Sequence, residues 1–264
     1  MNCSPITSLI FLIFVFFITS TASAEENQNQ EESLRIILGG GLLSRPVYPG
    51  SDEQEIRALP LVSFRYQRFF LGGLPGLENG LGAYVYESDR WKLAIIGLRD
   101  VEEPRKESDD SNLQGLGDIQ PTTHAGIYSS YNRDWLSLNL IVLSDIEDNN
   151  QGTFVNLGVR ATHKPLPRLQ VSAATSVIWA DNERLQTFFG VDDQQSSHSI
   201  HQPYYLDSGI ARIRFSIGAR YLMTPHWGVG ANITTTRLQD EVGESPVVQD
   251  KTQNVLGLFL MYRF

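Results

Sequence analysis

The stretch N-V-L-G-L-F-L-M-Y-R-F, residues 254–264, decides the fold of this chain. Counted back from Phe264, every second side chain is large and apolar, which is the period of a β-strand with one apolar face. The last strand of an outer-membrane barrel must close against the first, and it places aromatic residues in the interfacial girdle. The segment therefore favours a membrane barrel in which Tyr262 and Phe264 act as an assembly signal. The edge strand of an ordinary β-sandwich is the alternative.

The amino terminus predicts export. Residues 9–18 form an unbroken apolar run, and Ala22-Ser23-Ala24 is the small-x-small pattern after which a signal peptidase cuts. No Lys or Arg precedes the run, which departs from the usual signal peptide. The alternative is a membrane anchor, but the run is shorter than the ~20 residues needed to span a bilayer. We therefore predict a signal peptide over residues 1–24 and a mature chain that begins at Glu25.

The composition excludes several classes of protein. Cys3 is the only cysteine and lies in the predicted signal peptide, so the mature chain has no disulfide, no Cys-ligated metal and no Cys nucleophile. The formal net charge is -9, and this acidity argues against a nucleic-acid partner. After Glu25 no apolar segment is long enough for a transmembrane helix, which suits both a membrane barrel and a soluble β-protein.

The mature chain divides into a polar, acidic, flexible leader over residues 25–33 and a barrel over residues 34–264. Tight turns alternate with long loops between the strand candidates, as in barrels with short periplasmic turns and longer extracellular loops. The longest predicted loop spans residues 181–207. The twelve predicted strands cover residues 34–43, 56–66, 69–74, 81–87, 91–98, 119–131, 135–143, 153–162, 169–180, 208–221, 227–238 and 254–264.

The faces of these strands support a transmembrane antiparallel β-barrel of about twelve strands. In strand ten, Ile213, Phe215 and Ile217 alternate with Arg212, Arg214 and Ser216. A lipid-facing side and a polar lumen-facing side are what a barrel in the outer membrane needs. Aromatic rings suit the interface of the membrane, and these cluster at strand ends beside the predicted tight turns: Trp91, Trp135, Trp227, Tyr66, Tyr221 and Tyr262.

The predicted lumen face is basic and the predicted outer loops are acidic. Aligned guanidinium groups bind carboxylates and phosphates well, so one interpretation is a pore for anions. The other is structural, in which acidic loops fold inward, pair with the basic residues and plug the barrel. The basic lumen residues are Arg57, Arg65, Lys92, Arg160, Arg212, Arg214, Arg220 and Arg263. The acidic loop residues are Asp52, Glu53, Glu102, Glu103, Asp109, Asp110, Asp145, Glu147, Asp192, Asp193, Asp240 and Glu244.

No residue of the chain is nominated as catalytic, metal-ligating or cofactor-binding. His198 and His201 form a single His-x-x-His with no third ligand nearby, which is more typical of a solvated loop than of a metal site. His124 stands alone on a predicted strand. The chain has no G-x-S-x-G and no H-E-x-x-H motif. The run Gly39-Gly40-Gly41 precedes no helix, so strand bending or a close backbone approach explains it better than a phosphate loop does.

Six short motifs resemble the MipA/OmpV family of outer-membrane proteins, in the order that the family has them. Together they cover nearly the whole mature chain, although the His- and Ser-rich run after Val191 departs from the family pattern. The motifs are Tyr48-Pro49-Gly50-Ser51-Asp52, Leu59-Pro60, Leu113-Gln114-Gly115-Leu116-Gly117-Asp118-Ile119, Phe188-Phe189-Gly190-Val191, Ser245-Pro246-Val247 and Tyr262-Arg263-Phe264.

The resemblance implies an outer-membrane barrel without catalysis or cofactor. It implies a scaffold that brings a lytic murein transglycosylase together with a murein synthase, whereas other family members are porin-like. Two functions therefore stand beside each other: an interaction protein in cell-wall growth, and a channel whose Arg-lined lumen passes small anionic solutes. The partners implied are outer-membrane lipid and the two murein enzymes.

Overall fold

The computed structural model describes residues 34–74, 80–100 and 104–264. The predicted signal peptide, the predicted leader, residues 75–79 between the third and fourth predicted strands, and the loop residues Glu102 and Glu103 lie outside the described residues.

Twelve antiparallel strands form a closed barrel in which each strand pairs with its neighbours in sequence and the first pairs with the last. This confirms the predicted fold class. The strands are β1 (Arg35–Pro46), β2 (Gln54–Tyr66), β3 (Phe69–Leu71), β4 (Leu81–Glu87), β5 (Trp91–Arg99), β6 (Thr123–Arg133), β7 (Leu136–Asp145), β8 (Thr153–Leu166), β9 (Leu169–Ala180), β10 (Gly209–Leu222), β11 (Trp227–Leu238) and β12 (Thr252–Arg263).

Several predicted strand ends were wrong, and each error has a local cause. β3 ends at Leu71 because Gly72 and Gly73 adopt φ angles of 65° and 77°, which an extended strand does not use. β6 begins at Thr123 rather than at residue 119, since Ile119 donates its N–H to the carbonyl of Arg105 within the preceding loop. β8 runs on to Leu166 through a register shift, so two residues separate it from β9 instead of the six between the predicted strands.

The two ends of the barrel differ in their connections. The tight-turn rim carries the turns at residues 67–68, 88–90, 134–135, 167–168 and 223–226, together with the first residue of β1 and the last of β12. The long-loop rim carries all the other connections. Trp91, Trp135 and Trp227 lie exposed beside the tight turns, as an interfacial girdle requires.

The outer wall of the barrel is apolar. Ile213, Phe215 and Ile217 of β10 are 40–55% exposed, and Leu258 of β12 is 52% exposed. Such a continuous exposed apolar surface would be unstable in water, and it matches the hydrocarbon core of a bilayer.

The terminal segment closes the barrel. The register of β1 on β12 runs from Ile37 opposite Arg263 to Ser44 opposite Leu256. The Tyr262 ring lies 5.0 Å from the Trp227 ring and 4.8 Å from the Phe264 ring, and the backbone N–H of Phe264 donates to the carbonyl of Ile36.

Glycines allow close approach at this seam. A Cβ on Gly39 would lie 2.2 Å from the carbonyl oxygen of Leu260, and one on Gly41 would lie 2.5 Å from the Phe259 ring. A Cβ on Gly40, which faces the other side of the strand, would meet its nearest atom at 3.7 Å. The seam therefore tolerates a side chain at the middle glycine and at neither of its neighbours.

The long loops contain helical segments that the sequence analysis did not predict. Helix α1 (Asn182–Phe189) and helix α2 (Asp193–His198) both lie in the segment predicted as the longest loop, and helix α3 (Asp240–Glu244) precedes β12. The side chain of Asp181 caps α1 through the N–H of Arg184 at 2.9 Å. In the part of the chain that the structure describes, no helix is long and apolar enough to cross a membrane.

Candidate functional site

The barrel encloses a cavity of about 550 Å³. Its wall is polar on one side, where β7 to β11 contribute alternate residues that face inward. Phe259 also reaches the cavity, so the lumen is less polar than a wide channel requires. The polar and charged lining includes Asn139, Asn156, Asn232, Ser172, Ser176, Ser216, Thr234, Thr236, Arg45, Arg160, Arg212, Arg214 and one carboxylate, Asp100.

The predicted basic residues divide between this cavity and the two ends of the barrel. Arg160, Arg212 and Arg214 line the cavity. Arg220 continues the inward face of β10 towards the tight-turn rim, where it donates to the Oε1 of Gln170 at 3.1 Å. Arg263 continues the inward face of β12 to the same rim and is exposed.

Strand carboxylates pair with the other predicted basic residues. Arg57 lies near the long-loop rim, and its Nε is 2.8 Å from Glu55. Arg65 and Lys92 both pair with Glu87 near the tight-turn rim. The predicted inward-folding acidic loops are therefore not the source of these three ion pairs, because Glu55 belongs to β2 and Glu87 to β4.

Two amide oxygens in the cavity wall have no hydrogen-bond donor among the described residues. Asn156 of β8 is 3% exposed, and its Oδ1 accepts no hydrogen bond from any residue that the structure describes. The Oδ1 of Asn232, across the cavity on β11, is in the same condition. Buried carbonyl oxygens normally find a donor, but these two have almost no accessible surface and are enclosed in the wall itself.

The long-loop end of the lumen is filled by an apolar plug. Helix α1 lays Leu185, Phe188 and Phe189 against lumen-facing wall residues, and all of them belong to one buried cluster. The wall residues include Ile141, Leu143, Phe154 and Ile178. Burial decreases along β10, where Arg212 is half-buried and Arg220 is exposed, whereas Phe70 and Tyr84 stay buried near the tight-turn rim on β3 and β4. The lumen is therefore blocked towards the long loops and, beside β10, accessible towards the tight turns.

Arg184 fastens the plug to the wall. Its guanidinium lies over the Phe154 and Phe188 rings, at 4.9 and 4.7 Å from their centroids. It also donates to the carbonyl of Gln151 at 3.1 Å and approaches the Nε2 of His124 at 3.3 Å. His124, left without a role by the sequence analysis, is thus fully buried in the contact between plug and wall.

A cap of interlocking loops lies above the plug. Its small apolar cluster consists of Tyr48, Leu113, Leu116, Val191 and Val247. The Tyr48 hydroxyl donates to the Oε1 of Gln249 at 2.8 Å, and the Asn112 amide donates to the Val247 carbonyl at 3.2 Å. Residues from four of the six family motifs therefore meet in this cap.

The cap also buries charge. Arg105 is 2% exposed, and burial lowers its pKa to about 10, although Tyr48, Glu107, Asp109 and Asp118 act in the opposite direction. Burial likewise raises the pKa of Tyr48 to about 12. Both groups belong to loops outside the membrane-spanning strands.

The Tyr48 shift predicts a pH dependence of stability. The folded chain holds the Tyr48 proton up to about pH 12, whereas an unfolded Tyr loses it near pH 10. The contribution of Tyr48 to stability is therefore fully present below pH 10 and falls as the pH rises to 12, by about 2 kcal/mol. The lowered pKa of Arg105 acts in the opposite direction over the same range, so the Tyr48 contribution is measured as the difference between the unaltered chain and Tyr48→Phe. Thermal unfolding in detergent, followed across this range, measures that difference, and the same pH dependence in both proteins would contradict the assignment.

The His-x-x-His pair belongs to the loop contacts. The Nδ1 of His198 lies 2.8 Å from the Gln194 carbonyl oxygen, and the Nε2 of His201 lies 2.7 Å from the Asn112 carbonyl oxygen. The first contact lies within α2, and the second connects the segment after α2 to the cap. Among the residues that the structure describes, no group of three or more His, Cys, Asp or Glu is arranged to hold a metal ion.

Two solved structures superpose on most of this chain with TM-scores below 0.5. The NanC porin superposes with a TM-score of 0.44 at 9% identity, over 86% of this chain and 98% of the porin. The translocator domain of the autotransporter NalP from Neisseria meningitidis superposes with a TM-score of 0.41 at 11% identity, over 89% of this chain and 90% of that domain.

Sequence comparison gives the family. A protein from Escherichia coli (strain K12), called MltA-interacting protein, is 24% identical over 229 residues, which are 86% of this chain and 88% of that protein. The model of the family described as MltA-interacting protein MipA matches residues 38–264, which include every strand from β2 to β12 and most of β1. The chain therefore belongs to the MipA family, as the loop motifs had indicated.

Proposed function

We propose that the protein is an outer-membrane barrel that acts as a scaffold for murein enzymes. The long loops face the outside of the cell, and the tight-turn rim faces the periplasm, where it docks a lytic murein transglycosylase and a murein synthase. Family membership and the name of the relative from Escherichia coli support this proposal. The observation that carries it is the plug of α1, because a lumen blocked at one end is poorly suited to transport.

The chain supplies no chemistry of its own in this proposal. The buried polar groups Arg184, His124 and Arg105 make contacts that hold the loops in place. In this proposal the protein positions its partners without acting on murein. Three features support a location in the outer membrane: the apolar outer wall, the aromatic girdle at the tight-turn rim and the predicted signal peptide.

Affinity capture tests the scaffold directly. The purified barrel, immobilised through an added tag in one of its long loops, is expected to recover a transglycosylase and a synthase from a detergent extract of its own cells. An unrelated barrel of the same membrane is the control. Repeated recovery of neither enzyme would remove the main support for the scaffold.

A second function is favoured by one observation, the three arginines in the cavity wall. Arg160, Arg212 and Arg214 would attract small anionic solutes into the lumen. In this alternative the protein is a porin-like channel, and α1 must move for a solute to pass. Steady conductance of the unaltered barrel in planar bilayers, changed by Arg212→Ala and Arg214→Ala, would favour the channel over the scaffold.

A further inference from the structure

The tight-turn rim is strongly basic although the whole chain is acidic. Among the residues that the structure describes, exposed carboxylates at this rim are Glu87, Asp89 and Asp134. Exposed cations outnumber them and come from nearly every turn and from both terminal strands: Arg35, Arg68, Arg90, Arg133, Lys164, Arg168, Arg220 and Arg263. The positive charge of the barrel is thus concentrated where the lumen is accessible.

Part of this positive charge faces the lumen rather than the lipid. The strand registers place Arg35 opposite Arg65, on the inward face that also includes Leu43 and Arg45 of the cavity wall. Lys92, Arg220 and Arg263 share inward faces with other cavity residues in the same way. Lipid headgroups surround the barrel and do not reach side chains that point into its mouth.

These mouth residues continue into the basic cavity. Along β10 the inward cations are Arg220, then Arg214 and Arg212. Eight residues separate the first from the last, which is about 26 Å of strand. The far end of this basic track is closed by the plug, so a ligand enters and leaves by the tight-turn rim.

We propose that this basic track receives a carboxylate-rich peptide segment of a partner protein, which inserts from the tight-turn rim. The inference rests on the proposed docking function of that rim and names the chemistry of the contact. Guanidinium groups bind carboxylates with short, charge-assisted hydrogen bonds. A track of this length suits an extended chain better than it suits a small solute.

The uncharged part of the wall suits the backbone of a peptide. Ser172, Ser216 and Thr234 line the cavity, and their hydroxyl groups can both donate and accept hydrogen bonds. The N–H and C=O groups of an extended peptide offer both kinds of partner. The cavity therefore matches both the charge and the hydrogen bonds of an acidic peptide.

Fluorescence anisotropy with a labelled octaglutamate peptide tests the inference on the full-length barrel in detergent. We expect binding that weakens steeply as salt rises to about 0.5 M, because exposed charges are then screened. The double variant Arg214→Gln/Arg220→Gln should bind the peptide at least about tenfold more weakly, which corresponds to 1.4 kcal/mol. Arg237→Gln, an exposed arginine at the long-loop rim, is the matched control and should change affinity by less than about twofold.

Several outcomes would overturn the inference. Equal binding of an octaglutamine peptide would show that charge does not matter, and unchanged binding by the double variant would place the contact elsewhere. If free glutarate displaces the peptide and binds as tightly as the peptide does, the track is a site for small anions. Binding that requires anionic phospholipid in a nanodisc would assign the rim to the membrane.

The test separates this inference from the docking function. A gel shift on heating confirms that each variant is a folded barrel before binding is measured. If the double variant still captures the murein enzymes but has lost the peptide, docking stands and does not use the track. If the unaltered barrel binds the peptide, the double variant loses it and the unaltered barrel captures neither enzyme, the docking function fails alone.

Discussion

Removal of the α1 plug is expected to convert a barrel with little conductance into an open pore that prefers anions. Leu185, Phe188 and Phe189 fill the lumen at the long-loop end, where the wall residues around them are also fully buried. The double substitution Leu185→Asp/Phe188→Asp buries two carboxylates in that apolar contact, at a cost of several kcal/mol for each unpaired charge. The helix should leave the lumen, and single-channel recording in planar bilayers measures the result.

A second position in the same loop provides the control. Ile200 is 83% exposed and outside the plug, so Ile200→Asp should leave the conductance unchanged. The opened pore should lose its anion preference when Arg212→Ala and Arg214→Ala are added, because both side chains line the remaining passage. An unaltered barrel that conducts as well as the plug variant would show that α1 does not close the lumen.

Gly39→Val is expected to prevent closure of the barrel, whereas Gly40→Val should be tolerated. The added Cβ at residue 39 would lie 2.2 Å from the carbonyl oxygen of Leu260, so β12 would have to move away from β1. At residue 40 the nearest atom is 3.7 Å away and the side chain points to the lipid face. The measurement is the fraction of protein in the outer membrane that shifts on heating in a gel. Equal assembly of the two variants would contradict the seam geometry.

The strands of this protein could be predicted because their period shows in the residues themselves. In β10 the alternation of Ile213, Phe215 and Ile217 with Arg212 and Arg214 fixes which side faces the lumen, and β9 and β11 have the predicted ends. The predicted strand ends are wrong where tertiary contacts determine the backbone conformation. Ile119, for example, donates its N–H to the carbonyl of Arg105 in a loop and does not extend β6.

The plug and the cap could not be predicted in the same way. Helix α1 is only eight residues long, and a helix this short is stabilised by packing its apolar side chains against the barrel wall and not by its own sequence. A signal was present for α2, since Asp192 and Gln195 have the spacing of a capping box. No local pattern indicates that Arg184 would lie between two rings, or that Tyr48 would meet Gln249 from the other end of the chain.

Disulfide cross-linking across the seam tests the central claim, a barrel closed by β12 against β1, most directly. Leu42 and Leu258 lie opposite each other, and directly paired residues have Cα atoms about 5 Å apart, within the range of a disulfide. In a Cys3→Ser background, the cysteine pair at residues 42 and 258 should form a cross-link in isolated membranes. A pair at residues 42 and 256, displaced by about 7 Å along the strand, should not. Cross-linking of the second pair and not of the first would contradict the closed barrel and its register.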